Sequence, residues 1–340
     1  MEAWQIILIV IGAYFLVLFL YSLLIYIFTS VRSKMRCDKN PLFTYYTYED
    51  YQGLKAETFN FKNFKGDNLM ARMYTRDGFK DDTYLVFFHG IGAGHEAYTT
   101  LINDLVTTLE MPLLTFDYTG CDFSEGKSIV SVYQPLVDAH AFLAHLQTMP
   151  QYKGKKLVLI GHSWGGFVAA NLYPFNKDKN IIKVVNLNGV TDFGLYIKHS
   201  AKAPFIFVPL FKLFNAFRYG KFAFAATRNS IKNTQIPHLI VHGEKDSVVD
   251  FNLFIGNLVL QEDKHKNIKF HFERDKNHSA YLTTDGEKAL GEVTGYFLTY
   301  SKQKNKDETL KQKIVDFDFS RAVENDPKTL EVIRRFVKGD

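Results

Sequence analysis

The segment KLVLIGHSWGGFVAA, residues 156–170, changes character at its middle. An apolar run from Leu157 to Ile160 leads into Gly161-His162-Ser163-Trp164-Gly165, and a stretch of small residues follows. Strand, sharp turn and helix in that order is the context that a G-x-S-x-G nucleophile elbow requires. The glycines leave no side chain beside the serine. The turn lifts Ser163 to a helix N-terminus, where backbone N–H groups favour a developing oxyanion. Ser163 is therefore the candidate nucleophile.

A serine needs a base, and the base needs an orienting acid. PHLIVHGEKDSVVD (237–250) is an apolar run followed by a turn bearing Glu244, Asp246 and Asp250. Asp246 is the candidate acid, because it follows the strand end within H-G-x-x-D-x-V-V. IKFHFERDKNHSAY (268–281) is a further strand followed by a loop carrying His278, the candidate base. TYLVFFHGIGAGHEAY (83–98) ends its strand in His89-Gly90, with Ile91, Gly92 and Gly94 next. That glycine-bearing loop can offer one N–H to an oxyanion while Trp164 offers the other. His89 reads as a structural residue whose ring bonds the loop backbone.

The same alternation runs along the chain. Strands are expected near 57–63, 69–75, 84–89, 112–117, 156–160, 183–188, 238–242 and 268–273, with helices near 96–110, 132–148, 164–174, 250–262 and 286–300. This pattern predicts an α/β protein with a mostly parallel sheet covered on both faces, its first two strands forming an antiparallel edge. Residues 301–325, rich in Lys and Asp, read as a solvated, charged linker. Asp326-Pro327 then caps a C-terminal helix with Leu330, Ile333, Phe336 and Val337 on one face.

Ile6 to Phe28 carries no charged side chain. As a helix it would reach about 34 Å, enough for a hydrocarbon core. Glu2 and the lack of a small-residue cleavage site argue for a transmembrane helix (6–28) over a cleaved signal peptide. Arg32, Lys34, Arg36 and Lys39 follow in a connector (29–55). By the positive-inside rule they predict a single-pass protein with its N-terminus outside and its catalytic domain cytoplasmic.

Composition narrows the classes further. Of 340 residues 46% are hydrophobic and 23% charged, as in a globular protein rather than a fibrous or disordered one. The net charge of +5 is too mild for a nucleic-acid partner. Two cysteines, Cys37 and Cys121, make neither a disulfide scaffold nor a multi-cysteine zinc site. The histidines show no H-E-x-x-H spacing, so neither a metal nor a cofactor is expected.

HGIGAGHEAY, FDYTGCDFSEG, GHSWGG, HGEKDSVV and the NHS around His278 together resemble the α/β-hydrolase superfamily. Within it they are most similar to the monoacylglycerol lipase, lysophospholipase and S33-aminopeptidase-type group. The resemblance spans 56–300. It implies an α/β-hydrolase fold of eight strands, Ser163, Asp246 and His278 as the triad, and Ile91 and Trp164 as oxyanion donors. Where that family usually reads D-x-x-G-x-G-x-S, this chain reads Asp117-Tyr118-Thr119-Gly120-Cys121-Asp122-Phe123-Ser124.

Residues 194–236 stand where this family inserts its lid. They contain no Asp or Glu, but seven phenylalanines and seven basic residues. Phe205, Phe207, Phe211 and Phe214 are the candidate substrate-binding residues. Basic punctuation of an apolar segment also suits contact with an anionic membrane surface. The sequence thus points to a membrane-anchored serine esterase acting on lipid-like esters such as monoacylglycerol or lysophospholipid. The alternatives are a peptidase or thioesterase of the same fold, or a catalytically silent membrane-tethered binder. An aminopeptidase would want a cap carboxylate for the substrate's ammonium group, and this segment has none.

Overall fold

The computed structural model describes residues 2–80, 82–232, 234–259 and 267–340. Eight strands form one sheet: β1 (Lys55–Lys62), β2 (Asn68–Thr75), β3 (Thr83–Phe88), β4 (Leu113–Phe116), β5 (Lys156–His162), β6 (Ile181–Leu187), β7 (His238–Gly243) and β8 (Ile268–Glu273). Their order is β1-β2-β4-β3-β5-β6-β7-β8. β1 pairs antiparallel with β2, and β2 antiparallel with β4. All remaining pairs are parallel. This is the α/β-hydrolase fold, with the antiparallel edge that the closely spaced first two strands imply.

The central strands are apolar throughout because helices cover both faces. α2 (Thr99–Leu109) and α12 (Pro327–Lys338) pack on one face, where Ile102, Leu105 and Ile333 are buried with Leu85 and Val158. α3 (Gln134–Leu146) and α4 (Trp164–Leu172) cover the other, with Phe142 and Phe167 buried beside Phe88 and Leu159. In register, Phe88 of β3 lies opposite Gly161 of β5, and Gly161 opposite Asn186 of β6. The carboxyl ends of the strands therefore finish level, and the loops after β3, β5, β7 and β8 collect at one edge.

Between β6 and β7 the chain forms α5 (Phe193–Ser200), α6 (Phe207–Tyr219) and α7 (Thr227–Lys232). After β7 a single π-helical turn, Phe251–Ile255, leads into the short α8 (Gly256–Val259). Positions 260–262 of the helix expected there lie outside the described residues.

The first helix, α1 (Ala3–Arg32), is longer at both ends than the uncharged run, and it is long and apolar enough to cross a membrane. Its first half is exposed, but Ser22 and Ile25 are buried against the body. Phe19 and Tyr26 pack on Phe214, and Tyr26 also on Phe211. The chain then runs along the body as a strap. Met35 and Ser33 accept from the Ile129 and Val130 amides, and Cys37 donates its N–H to Gly120 O. Arg36 donates to the carbonyls of Asp122 and Ser124, and Lys39 pairs with the buried Glu96.

Residues 301–325 differ from the solvated linker expected of them. α9 (Thr284–Lys302) is followed by α10 (Glu308–Val315) and α11 (Phe319–Ala322), with Ile314 and Phe319 buried. Asp307 and Asp318 cap these helices through Thr309 N and Ser320 N. Both helices are too short to display a period, and their apolar partners come from α9, among them Val293 and Phe297, and from Phe43 and Tyr46 of the connector far upstream. The C-terminal helix α12 docks on the body, with Asp326 accepting from Lys328 N and pairing with the buried Lys276.

Candidate active site

The elbow is forced by sterics. Ser163 sits at φ 55°, ψ −112°, outside the usual helical and strand regions. A Cβ on Gly161 would lie 2.1 Å from Gly165 O, and one on Gly165 only 1.9 Å from Phe88 O. Only glycine allows backbone to approach that closely. The strain at Ser163 is held by Ser163 N donating to Leu187 O and by the helix α4 that starts behind it.

Three side chains meet above this turn. His278 Nε2 lies 2.8 Å from Ser163 Oγ, and its Nδ1 lies 2.9 and 3.1 Å from Asp246 Oδ2 and Oδ1. A carboxylate only accepts, so Nδ1 carries the ring proton, Nε2 is bare and the serine O–H donates to it. Asp246 is buried and receives N–H bonds from Val248 and Val249 at 2.8 Å and from Asn188 Nδ2 at 2.9 Å. Burial opposes its charge, but the hydrogen bond and charge of His278, the Val249 amide and Asn188 outweigh burial and keep the carboxyl below its ordinary range. Neither other carboxylate of that turn is placed this way: Asp250 accepts from Leu253 N, and Glu244 is exposed.

The loop after β3 packs on the same corner. A Cβ on Gly90 would stand 3.4 Å from that of Ser163. The next amide is that of Ile91, whose side chain is exposed, and Trp164 follows Ser163 at the first turn of α4. Trp164 itself is fixed by its indole N–H donating to Val132 O at 2.8 Å. His89 bonds Gly90 O through Nδ1 and stacks on Tyr118, with burial pushing its ring down to about 4. Asp122, where the resembling family has glycine, takes φ 40° and accepts from Lys39 N. An aspartate tolerates that left-handed backbone, so the turn keeps its shape.

Two residues escape sequence reasoning and link this loop to the base. Gly90 N–H donates to Tyr98 Oη, Tyr98 Oη lies 2.9 Å from His162 Nδ1, and His162 Nε2 lies 2.8 Å from His278 O. A carbonyl only accepts, so His162 carries its proton on Nε2 and Tyr98 must donate to Nδ1. Burial, then the neighbouring His278, push the His162 ring down to about 3, so it stays neutral. Asn188, likewise unforeseen, joins Asp246, Asn277 O and Ala280 N. The only signal for His162 was its place inside the elbow, and nothing local marks Tyr98 or Asn188.

The four phenylalanines of the insertion are not gathered into one wall beside Ser163. Phe207 and Phe211 are buried, stacked on each other at 5.4 Å, and Phe211 also meets Tyr133. Phe214 packs against α1, and Phe205 is 63% exposed. The helical spacing of this segment serves the packing of α6 between α1 and the body.

Residues 85–253 match the model of a family described as Alpha/beta hydrolase family. Among solved structures, an esterase from Pyrococcus furiosus superposes with a TM-score of 0.55 at 18% identity, covering 78% of this chain and 97% of that one. Acetyl xylan esterase 1 from a Thermoanaerobacterium species gives 0.50 at 13% identity, covering 76% and 87%. At these identities the likeness is one of fold.

Proposed function

Because the chain belongs to the α/β-hydrolase superfamily, we propose that it is a membrane-anchored serine hydrolase of carboxylic esters with long acyl groups. The observation that carries the reading is the Ser163–His278–Asp246 chain of hydrogen bonds over a strained elbow. Ser163 Oγ attacks the ester carbonyl while His278 Nε2 takes its proton. Charge on the carbonyl oxygen is held by the Ile91 and Trp164 amides. His278 then protonates the departing alkoxide, and water, deprotonated by the same ring, releases the acid from the acyl-enzyme.

Two features favour apolar esters over peptides. The insertion, 194–236, has no carboxylate to receive an N-terminal ammonium group. Its Phe205, Leu213 and Phe217 are exposed, and its Phe214 packs on Phe19 of the apolar α1. The helix α1 serves as the anchor, with Arg32 and Lys34 on its cytoplasmic side, so the hydrolase body faces the cytosol.

Labelling by a fluorophosphonate probe, combined with a panel of monoacylglycerol, lysophospholipid, thioester and peptide substrates, tests this reading. Wild-type chain should be labelled and should cleave the lipid esters, and Ser163→Ala should lose both with its fold intact. Labelling that survives Ser163→Ala, or turnover confined to peptides, overturns it.

A further inference from the structure

Where α1 ends, its last turns carry Thr29, Ser30 and Ser33, and across from them α6 ends in Arg218 and Tyr219. Between these ends and the loops at 65–67 and 126–132 lies a cavity of about 460 Å³. Four basic side chains line it, Lys34, Lys65, Lys127 and Arg218, against one carboxylate, Asp67. Asp67 is engaged by Asn63 Nδ2 at 3.0 Å. The buried Asp138 stands behind the wall and is bonded to Thr119 N and Gln134 Nε2.

None of the four cations makes an ion pair with a described residue. Their neighbours do: Lys212 pairs with Asp192, Lys39 and Arg72 with Glu96, and Arg36 with Asp38. Lys65 Nζ reaches only Gln134 Oε1, at 3.3 Å. Its ammonium is held below the usual lysine range, first by burial and then by the positive charge of Arg218 nearby, against the weaker pull of Asp138 and Asp67. Like charges, all four exposed, stand at the rim of a cavity with hydroxyl groups in its wall, and an anion with several acceptor oxygens would bridge them.

The place of the cavity selects the anion. Phe19 touches Phe214 nine residues, or about 14 Å of helix, before Phe28. The insertion helix therefore lies alongside the apolar stretch of α1 rather than beyond it. Phe217, 86% exposed, and Leu213 project from the same helix. With α1 in a bilayer these side chains sit among acyl chains, and the four cations sit at the level of the head groups. The geometry points to this cavity as a site for the phosphate of an anionic phospholipid, its acyl chains lying along the seam of α1 and α6. Val132 on the cavity wall receives the indole N–H of Trp164, so an occupied site borders the elbow directly.

The proposal rests on the anchor reading, and the test separates the two. Full-length chain is placed in phosphatidylcholine nanodiscs with and without phosphatidic acid, and its unfolding temperature is followed by tryptophan fluorescence. Phosphatidic acid should raise that temperature, as any ligand of the native state does. The pair Lys65→Gln with Arg218→Gln should remove most of the rise, while unfolding in phosphatidylcholine alone no earlier than wild type. Lys302→Gln with Lys304→Gln, an equal loss of charge at exposed positions, should keep the rise. An equal rise with inorganic phosphate over pure phosphatidylcholine, lost in the first pair, would reassign the site to a free phosphate. A rise that the first pair leaves intact, or no rise at all, overturns the site. Release of the chain by alkaline carbonate would defeat the anchor reading alone, since its response to phosphate in solution still reports on the cavity.

Discussion

Around Ser163 the groups of the triad and of the Tyr98–His162 relay each have hydrogen-bond partners. His278 has a partner at each nitrogen, Asp246 has four donors, and His162 is held at both ends. At the end of the molecule where α1 meets α6 the opposite holds. Aromatic rings pack edge-on or tilted, apolar side chains are exposed, and four cations stand round a cavity without an ion-pair partner among the described residues. The first region is built so that nothing moves while charge develops. The second is left incomplete toward the outside, as a surface is when its missing partners are lipid. The proposed chemistry and the proposed lipid contact thus fall to separate parts of the molecule, joined through Trp164 and the strap.

The sharpest way to break this division is in the triad. Asp246→Asn should lower kcat by about 10⁴, because the amide no longer fixes the Nδ1 proton of His278. Glu244→Gln, in the same turn but exposed, should leave kcat unchanged. Equal losses in both would show that the turn, not Asp246, matters. A smaller effect tests the relay that orients the base. Tyr98→Phe removes the donor to His162 Nδ1 and the acceptor for Gly90 N–H, leaving two polar groups unpaired at about 1–3 kcal/mol. His162 keeps its Nε2–H bond to His278 O but loses the partner that held its other nitrogen, so the ring orients the base less firmly. A roughly tenfold fall in kcat, with KM little changed and the acid limb of the pH–rate profile displaced, is the expected result. A fall in stability with an unmoved profile would reduce Tyr98 to packing. The smallest change belongs to the seam. Phe214→Ala removes two aromatic contacts with α1, about 1 kcal/mol each. Hydrolysis of a short, soluble ester should stay within about twofold, while that of a bilayer-resident ester should fall further. Equal effects on both substrates would join the two regions that the structure separates.

Legibility in the sequence followed the range of the forces at work. The strands were readable because parallel strands buried on both faces are apolar throughout. The elbow was readable because sterics confine it to glycines within five residues, and Asp246 and His278 because each follows a strand end. Tyr98 and Asn188 were not, since each acts through partners some sixty to ninety positions away. The helices at 308–322 were hidden because they are short and their apolar residues few, matched partly by Phe43 and Tyr46 far upstream and partly by α9. The phenylalanines of the insertion were read as substrate-binding residues, because one sequence cannot say which neighbour an apolar side chain meets; Phe207, Phe211 and Phe214 instead pack α6 on the body and on α1.

The strap from Ser33 to Lys39 has a practical consequence for anyone who wants this hydrolase in soluble form. It belongs to the body: Cys37 Sγ receives the amide of Gly92, one residue past Ile91, and Arg36 and Lys39 tie down the 120–126 loop and Glu96. Trimming the chain near residue 40, at the end of the basic flank, would strip those bonds from the loop beside the nucleophile. A cut between Arg32 and Ser33 keeps them.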